Sequence, residues 1–298
     1  MPRLHVPLLT SFAYLRKYDA AHIENMLGDP RVEVLLDSGA FTAFNSGTEI
    51  KLDEYMSWLG TWSSRLFGYM ALDKLQDPVR TDANLRDMLN AGLHPIPIHV
   101  FGDDRARMDW LFERSRWVAC GGFRRPHRGS APRTYIKAKM EWAAGRDVHW
   151  LGYTDLDMIK SFKPFSCDCA SWTAGRTFGQ MHLYVGAGQM VELTYREWEA
   201  GNGIKALPGG HRRLRALVAA HGLDPDLFDD TQSWRNVQYM NRVQRLNARA
   251  WVRYVLDVRA KIGTRLFIAM LPDEQDLHAI RDAIDWADGC GLLEGNVP

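Results

Sequence analysis

"RVEVLLDSGAFTAFNSGTEIKLDEYMSWLGTWSSRLFGYMALD", residues 31–73, decides the architecture. A short apolar run, "VEVLL", ends on Asp37, and a second, "GYMAL", ends on Asp73. Between them "LDEYMSWLGTW" (52–62) carries apolar residues at helical spacing. This is a strand–helix–strand unit in which each strand hands a carboxylate to its C-terminal end. The strands are almost continuously apolar, as strands covered on both faces are.

The unit recurs. "LHVPLL" precedes it, with a proline that weakens the strand pattern. "HPIPIHVF", "RWVACGGF", "VHWLGY" and "KPFSCD" follow, then "MHLYVG" and, late in the chain, "TRLFIAM". Helical patterns lie between most of them. "PVRTDANLRDMLNAG" (78–92) has proline at its start and glycine at its end, as a helix prefers. "DDRARMDWLFERS", "PRTYIKAKMEWAAG" and 155–162 continue the series. An open doubly wound sheet would often carry a GxGxxG turn after a strand, and no strand here is followed by one. The pattern predicts an α/β fold: a divergent (β/α)8 TIM barrel spanning 1–298 as one domain, with additional C-terminal helices. Either "MHLYVG" or "TRLFIAM" supplies its last strand. Residues 190–260 read as a helical elaboration, with 201–210 as its mobile part and 232–258 as its longest helix.

Composition narrows the partners. A 46% hydrophobic, 24% charged chain is an ordinary globular one. With a formal net charge of +1, any nucleic acid would have to be met by a local basic patch. The cysteines at 120, 167, 169 and 290 form no CxxC pair, so neither a zinc ribbon nor a dithiol site is predicted. The first residues lack a signal-peptide pattern, and no run approaches the roughly 20 apolar residues of a membrane span. The expectation is a cytoplasmic protein with no membrane partner, no cofactor and no metal.

In a TIM barrel, catalytic groups sit at the C-terminal strand ends. Asp37, Asp73, His99, Gly121, Gly122, Gly152 and Asp168 occupy such ends here. An aspartate after a strand also caps helices and opens turns. Three of them on converging strands point further, to chemistry. Paired carboxylates suit an anomeric carbon, where one attacks and the other moves a proton. The same residues would suit an oxygen-ligated divalent cation. A Schiff-base lysine, Lys74 or Lys163, is a weaker third use.

"LLDSGAF", "ALD", "ACGGF", "HWLGY" and "FSCDCASWTAGRTFG" run in order from residue 35 to residue 179. In that order they resemble the queuine and archaeosine tRNA-guanine transglycosylase superfamily. They are most similar to its bacteriophage and genomic-island branch, which inserts 7-deazaguanine bases into DNA. The resemblance implies a glycosyltransferase (pentosyltransferase) that exchanges guanine for a base such as preQ0. Asp168 matches the nucleophile, and Asp37 the acid/base residue. Asp73 matches the aspartate that grips the base edge. Gly121 and Gly122 match a glycine pair whose backbone lies close to the base. Ser38, Phe41 and Tyr153 are further candidate pocket residues.

The sequence departs from the family at Ala40, where a second glycine is usual, and at Thr42 in place of glutamine. The cysteine-rich zinc subdomain of the tRNA enzymes is also missing, which favours DNA over tRNA. Arg124, Arg125, Arg128 and Arg133 follow the fifth strand, and Arg176, Arg212 and Arg213 lie further on. All are candidate phosphate contacts, and the arginines of the long helix would extend their path. The readings that compete with a DNA enzyme are a tRNA- or nucleoside-directed transglycosylase, a base hydrolase, and a non-catalytic nucleic-acid-binding barrel. A homodimer or an accessory protein would complete the polymer surface. If the chain is phage-encoded, its place is the host cytoplasm.

Overall fold

The computed structural model describes residues 3–123, 131–200, 209–229 and 237–295. The chain divides into two compact units. One holds Pro7–Cys169 and Ile262–Pro272; the other holds Met1–Val6, Ala170–Lys261 and Asp273–Pro298.

The first unit is built on an eight-stranded parallel sheet and is TIM-barrel-like. Its strands are β1 (Val6–Ser11), β2 (Val32–Asp37), β3 (Gly68–Tyr69), β4 (Ile98–His99), β5 (Trp117–Cys120), β6 (Asp147–Trp150) and β7 (Ser166–Cys169). Two more strands, β8 (Met181–Gly186) and β9 (Gln189–Leu193), belong to the other unit. The eighth strand of the sheet is β10 (Arg265–Ala269), which lies between β7 and β1. "TRLFIAM" thus provides the last strand, whereas "MHLYVG" pairs antiparallel with β9 in a separate two-stranded sheet. Pro7 is accommodated within β1. Just beyond β3, Met70 pairs in parallel with Ile96, and the Ala71 and Ile96 N–H groups donate across that gap at 2.8 Å each.

Strand parity sorts the side chains. One face gathers Leu9, Leu35, Ile98, Ala119 and Phe267 into a common buried cluster with Met70, Ile96 and Trp117. On β2 that face also carries Glu33 and Asp37, two residues to either side of Leu35. Glu33 pairs with Arg265 at 2.9 Å, on the N-terminal side of the cluster. Asp37 lies on the C-terminal side. The opposite face holds His99, Cys120, Cys167 and Cys169, all buried. His99 was expected at the catalytic rim. Its ring instead accepts at Nδ1 from Lys139 Nζ (2.9 Å), on the helix Ala131–Ala143. Ile98, its neighbour, takes the core-facing side, and alternation sends His99 the other way.

The helices of this unit match the sequence pattern closely. Leu52–Trp62, Pro78–Asn90, Arg105–Phe112 and Leu156–Phe162 all form. Asp77, Asp104 and Asp155 cap the last three, each accepting from a backbone N–H in the first turn.

The second unit has its own core, including Met181, Leu183, Trp198, Leu214, Phe228 and Leu246. Its long helix runs Val237–Ile262. Asn247 of that helix is an internal tie. Its Oδ1 accepts from the His182 N–H (2.8 Å), and its Nδ2 donates to the carbonyls of Trp172 and Gln180.

Candidate active site

β2 ends on Asp37, and the chain must turn at once. Gly39 makes the turn at φ +83°, and a Cβ there would lie 2.6 Å from Ala13 Cβ and 2.8 Å from Ser11 Oγ. No other residue fits that approach. The turn brings the Gly39 N–H to 2.6 Å from Asp37 Oδ1. Ser38, buried, donates from Oγ to Asp73 Oδ1 at 3.3 Å. The motif at 37–39 thus fixes two carboxylates: its own and that of Asp73, four residues beyond β3.

Asp168 lies on β7 and is 9% exposed. Its Oδ1 meets two nitrogens: His149 Nε2 at 3.1 Å and the Gly152 backbone N–H at 2.8 Å. His149 Nδ1 meets Ser166 Oγ at 2.8 Å. A carboxylate only accepts, so Nε2 carries the proton in this pair, and Nδ1 then accepts from the Ser166 hydroxyl. The register dictates the grouping. His149 on β6 is the direct partner of Ser166 on β7, and Asp168 shares the Ser166 face two residues on. The constellation has the members of a Ser–His–Asp triad in inverted order. Ser166 and His149 are wholly buried, and Asp168 is the member nearest solvent. The serine serves the histidine, and the histidine serves the aspartate.

Burial pushes the Asp37 carboxyl up to about 6. The Gly39 N–H opposes that rise, the charge of Asp168 adds to it, and His149 offsets part. Asp73 is likewise raised to about 6, by burial first and by the Asp37 charge second. The three sequence-predicted aspartates therefore lie within electrostatic reach of one another in a chain, Asp168 to Asp37 to Asp73. In this setting Asp37 and Asp73 can hold or release a proton near neutral pH.

Other candidates sort differently. The Gly121 carbonyl accepts from Tyr135 OH (3.1 Å), and Gly122 adopts φ +86°, where an added Cβ would lie 2.7 Å from Phe101 Cβ. Tyr153 is half-buried and packs on Phe123 and Trp150 at centroid distances of 5.5 and 6.0 Å. Phe41 stands 68% exposed on the short helix Ala40–Ser46. Arg133 is exposed and reaches Met158 Sδ and the Phe162 ring. Arg124, Arg125 and Arg128 lie outside the described residues, as does most of 201–210. Arg212 and Arg213 are exposed, whereas Arg176 pairs with Asp273 (2.7 Å) and Asp276 (3.4 Å). Arg242, Arg245 and Arg249 of the long helix also have partners within their own unit: the Leu227 carbonyl for the first, Asp282 for the other two. The basic path expected along that helix is thus largely committed to internal contacts.

Lys74 pairs with Glu49 at the surface, and Lys163 follows the helix Leu156–Phe162 ahead of β7, away from the carboxylates. Neither is set for a Schiff base at this site. Among the described residues the buried lysine is Lys139, which burial pushes below its ordinary range. A cleft of about 960 Å³ takes Asp73 into its wall but neither Asp37 nor Asp168. The carboxylate chemistry, not the cleft's size, locates the candidate centre. Among the described residues no group of three or more His, Cys, Asp or Glu side chains is placed to hold a metal. None of their helices is long and apolar enough to cross a membrane.

No protein-family model matches the chain, and no curated protein shows significant similarity to it.

Proposed function

We propose that the parallel sheet closes as a (β/α)8 barrel whose C-terminal rim exchanges bases in a nucleic acid by the guanine transglycosylase route. The Met70–Ile96 pairing supports closure, because it links the β3 and β4 edges of the sheet. One observation carries the chemistry. Two carboxylates lie within electrostatic reach of each other, and acid/base and nucleophile roles use such a pair. Asp168 is held by two N–H donors on Oδ1, and Asp37 is raised to about 6.

In this reading Asp168 Oδ2 attacks C1′ of a deoxyguanosine nucleotide flipped from the stack. The bond from C1′ to guanine N9 breaks, and protonated Asp37 gives its proton to the leaving base. An aspartyl–deoxyribose ester results. A 7-deazaguanine such as preQ0 then loses its N9 proton to Asp37 and attacks C1′, and the ester bond breaks. Two displacements retain the sugar configuration, and the ester holds the polymer between them. Asp73 accepts from the N–H edge of the base.

DNA is the preferred polymer, because the motifs from residue 35 to residue 179 are most similar to the branch that modifies DNA. The test offers labelled preQ0 and guanine with duplex DNA, single-stranded DNA and tRNA in parallel. Label entering DNA, and lost in Asp168→Ala, supports the reading. Label entering tRNA alone reassigns the polymer, and no label in any of the three ends the proposal.

A further inference from the structure

We propose that Lys139 and Tyr135, one turn apart on the helix Ala131–Ala143, are positioning residues that hold the Gly121–Gly122 backbone in the shape a base needs. The inference rests on the base-exchange reading, in which the base lies against that glycine pair. Both residues act through the turns that follow β4 and β5.

Lys139 is a costly residue to bury. It is 1% exposed, and among the described residues no carboxylate lies within ion-pair distance of its ammonium. Its Nζ donates to His99 Nδ1 at 2.9 Å and to the Asp103 carbonyl at 3.0 Å. It also stands 4.9 Å from the ring centroid of Tyr135 and 4.7 Å from that of Trp142, which favours a cation there. Both hydrogen bonds thus go to the end of β4 and the turn after it.

His99 passes the constraint on. With Nδ1 accepting from Lys139, its Nε2 carries the proton and donates to the Asp104 carbonyl at 3.0 Å. Its own carbonyl accepts from the Gly121 N–H, also at 3.0 Å. The turn is therefore tied at 99, 103 and 104, and Phe101 lies between those ties. Phe101 Cβ would stand 2.7 Å from a Cβ added to Gly122, so its placement limits where the Gly122 backbone can go.

Tyr135 holds the other side. Its hydroxyl donates to the Gly121 carbonyl at 3.1 Å, and its ring packs on Phe101 and Phe123 at centroid distances of 5.4 and 5.6 Å. Gly121 thus has its N–H engaged by the residue that Lys139 anchors and its carbonyl engaged by Tyr135.

A backbone surface offered to a flat ring binds best when it need not be ordered by the ring, because preorganisation removes that cost. The chemical step is set elsewhere: His149 and the Gly152 N–H orient Asp168. Loosening the glycine pair should therefore raise KM for the base and leave kcat alone.

The test measures KM and kcat for labelled guanine exchanged into single-stranded DNA, at temperatures where melting curves show each variant folded. Lys139→Met keeps most of the side-chain volume and removes every donor. It should raise KM about tenfold, with kcat within about twofold of the parent. Tyr135→Phe keeps the ring and removes only the hydroxyl, and it should raise KM severalfold at the same kcat. A parental KM in either folded variant overturns the role of that residue. A fall in kcat as large as the rise in KM overturns the inference as well, because it marks a general loss of structure. Should Lys139→Met fail to fold, Tyr135→Phe alone decides. A parent that exchanges no base ends the base-exchange reading and takes this role with it. An active parent whose variants keep its KM sinks only the positioning role, so the two failures are distinguished.

Discussion

His149 Nε2 lies 3.1 Å from Asp168 Oδ1, and its other ring nitrogen lies 2.8 Å from Ser166 Oγ. The imidazole is wholly buried, so its orientation is set by these two contacts and by packing near Phe267. With the Gly152 N–H on the same oxygen, Asp168 cannot rotate freely, and Oδ2 is the atom left to attack. His149 is therefore a positioning residue for the proposed nucleophile. His149→Ala should lower kcat by about 10–100-fold, the worth of one hydrogen bond to a charged group. KM for the free base should change little. His149→Gln, which keeps a side-chain N–H donor, should recover part of kcat. Equal losses in both variants, at an unchanged melting temperature, would leave His149 a purely structural residue.

Asp37 gives a stability prediction with a definite sign. Its carboxyl is raised from 3.8 to about 6 by burial, so between those values the folded state binds more proton than the unfolded chain. Stability must then fall as pH rises through that window and level off above it. Asp73, also raised to about 6, by burial first and by the Asp37 charge second, acts in the same direction. Asp37→Asn removes the buried charge while its side-chain oxygen can still accept from the Gly39 N–H. The variant should melt higher than the parent at pH 7.5, with little difference at pH 4, while losing base exchange. A variant that melts lower at pH 7.5 would contradict the burial argument.

Gly39 links the strand end to the site. Alanine there would have to hold φ near +83° and place its Cβ 2.6 Å from Ala13 Cβ. Left-handed strain and overpacking together should cost about 2–4 kcal/mol. Urea denaturation of Gly39→Ala should show a lower midpoint with an unchanged slope. Normal stability would mean that the 37–39 turn relaxes more easily than its contacts imply.

Much of this site is legible in the sequence because it rests on strand ends. Asp37 and Asp168 each close an apolar run, and the alternation Cys167–Asp168–Cys169 already separates the aspartate from its neighbours. His149 is not legible in the same way. In "VHWLGY" it resembles any strand-interior residue, and its role appears only when β6 and β7 pair in register. His99 fails for the converse reason: the end of a strand does not reveal which face a side chain takes. β4 has only two residues, too few for a periodic signal to settle the parity. The chain beyond residue 170 defeats local reading too, because "MHLYVG" and "TRLFIAM" are both apolar enough to be core strands. Only the long-range parallel pairing of β10 with β1 and β7 distinguishes them.

The glycines after β5 separate a fold requirement from a ligand requirement. A Cβ on Gly122 would meet Phe101 Cβ at 2.7 Å at a φ of +86°, so Gly122→Ala should destabilise the protein by about 2–4 kcal/mol. A Cβ on Gly121 would meet only Leu151 Cδ1, at an ordinary 3.5 Å. Among the described residues nothing forbids a side chain there, and Gly121→Ala should leave the melting temperature within about a degree or two. If a flat base lies against the Gly121 backbone, the added methyl group should still raise KM for the base severalfold and weaken binding of the free base. Gly122→Ala provides the contrast, losing stability before it loses affinity. A Gly121→Ala enzyme with parental KM would move the base away from β5 and leave Asp73 as its proposed polar contact.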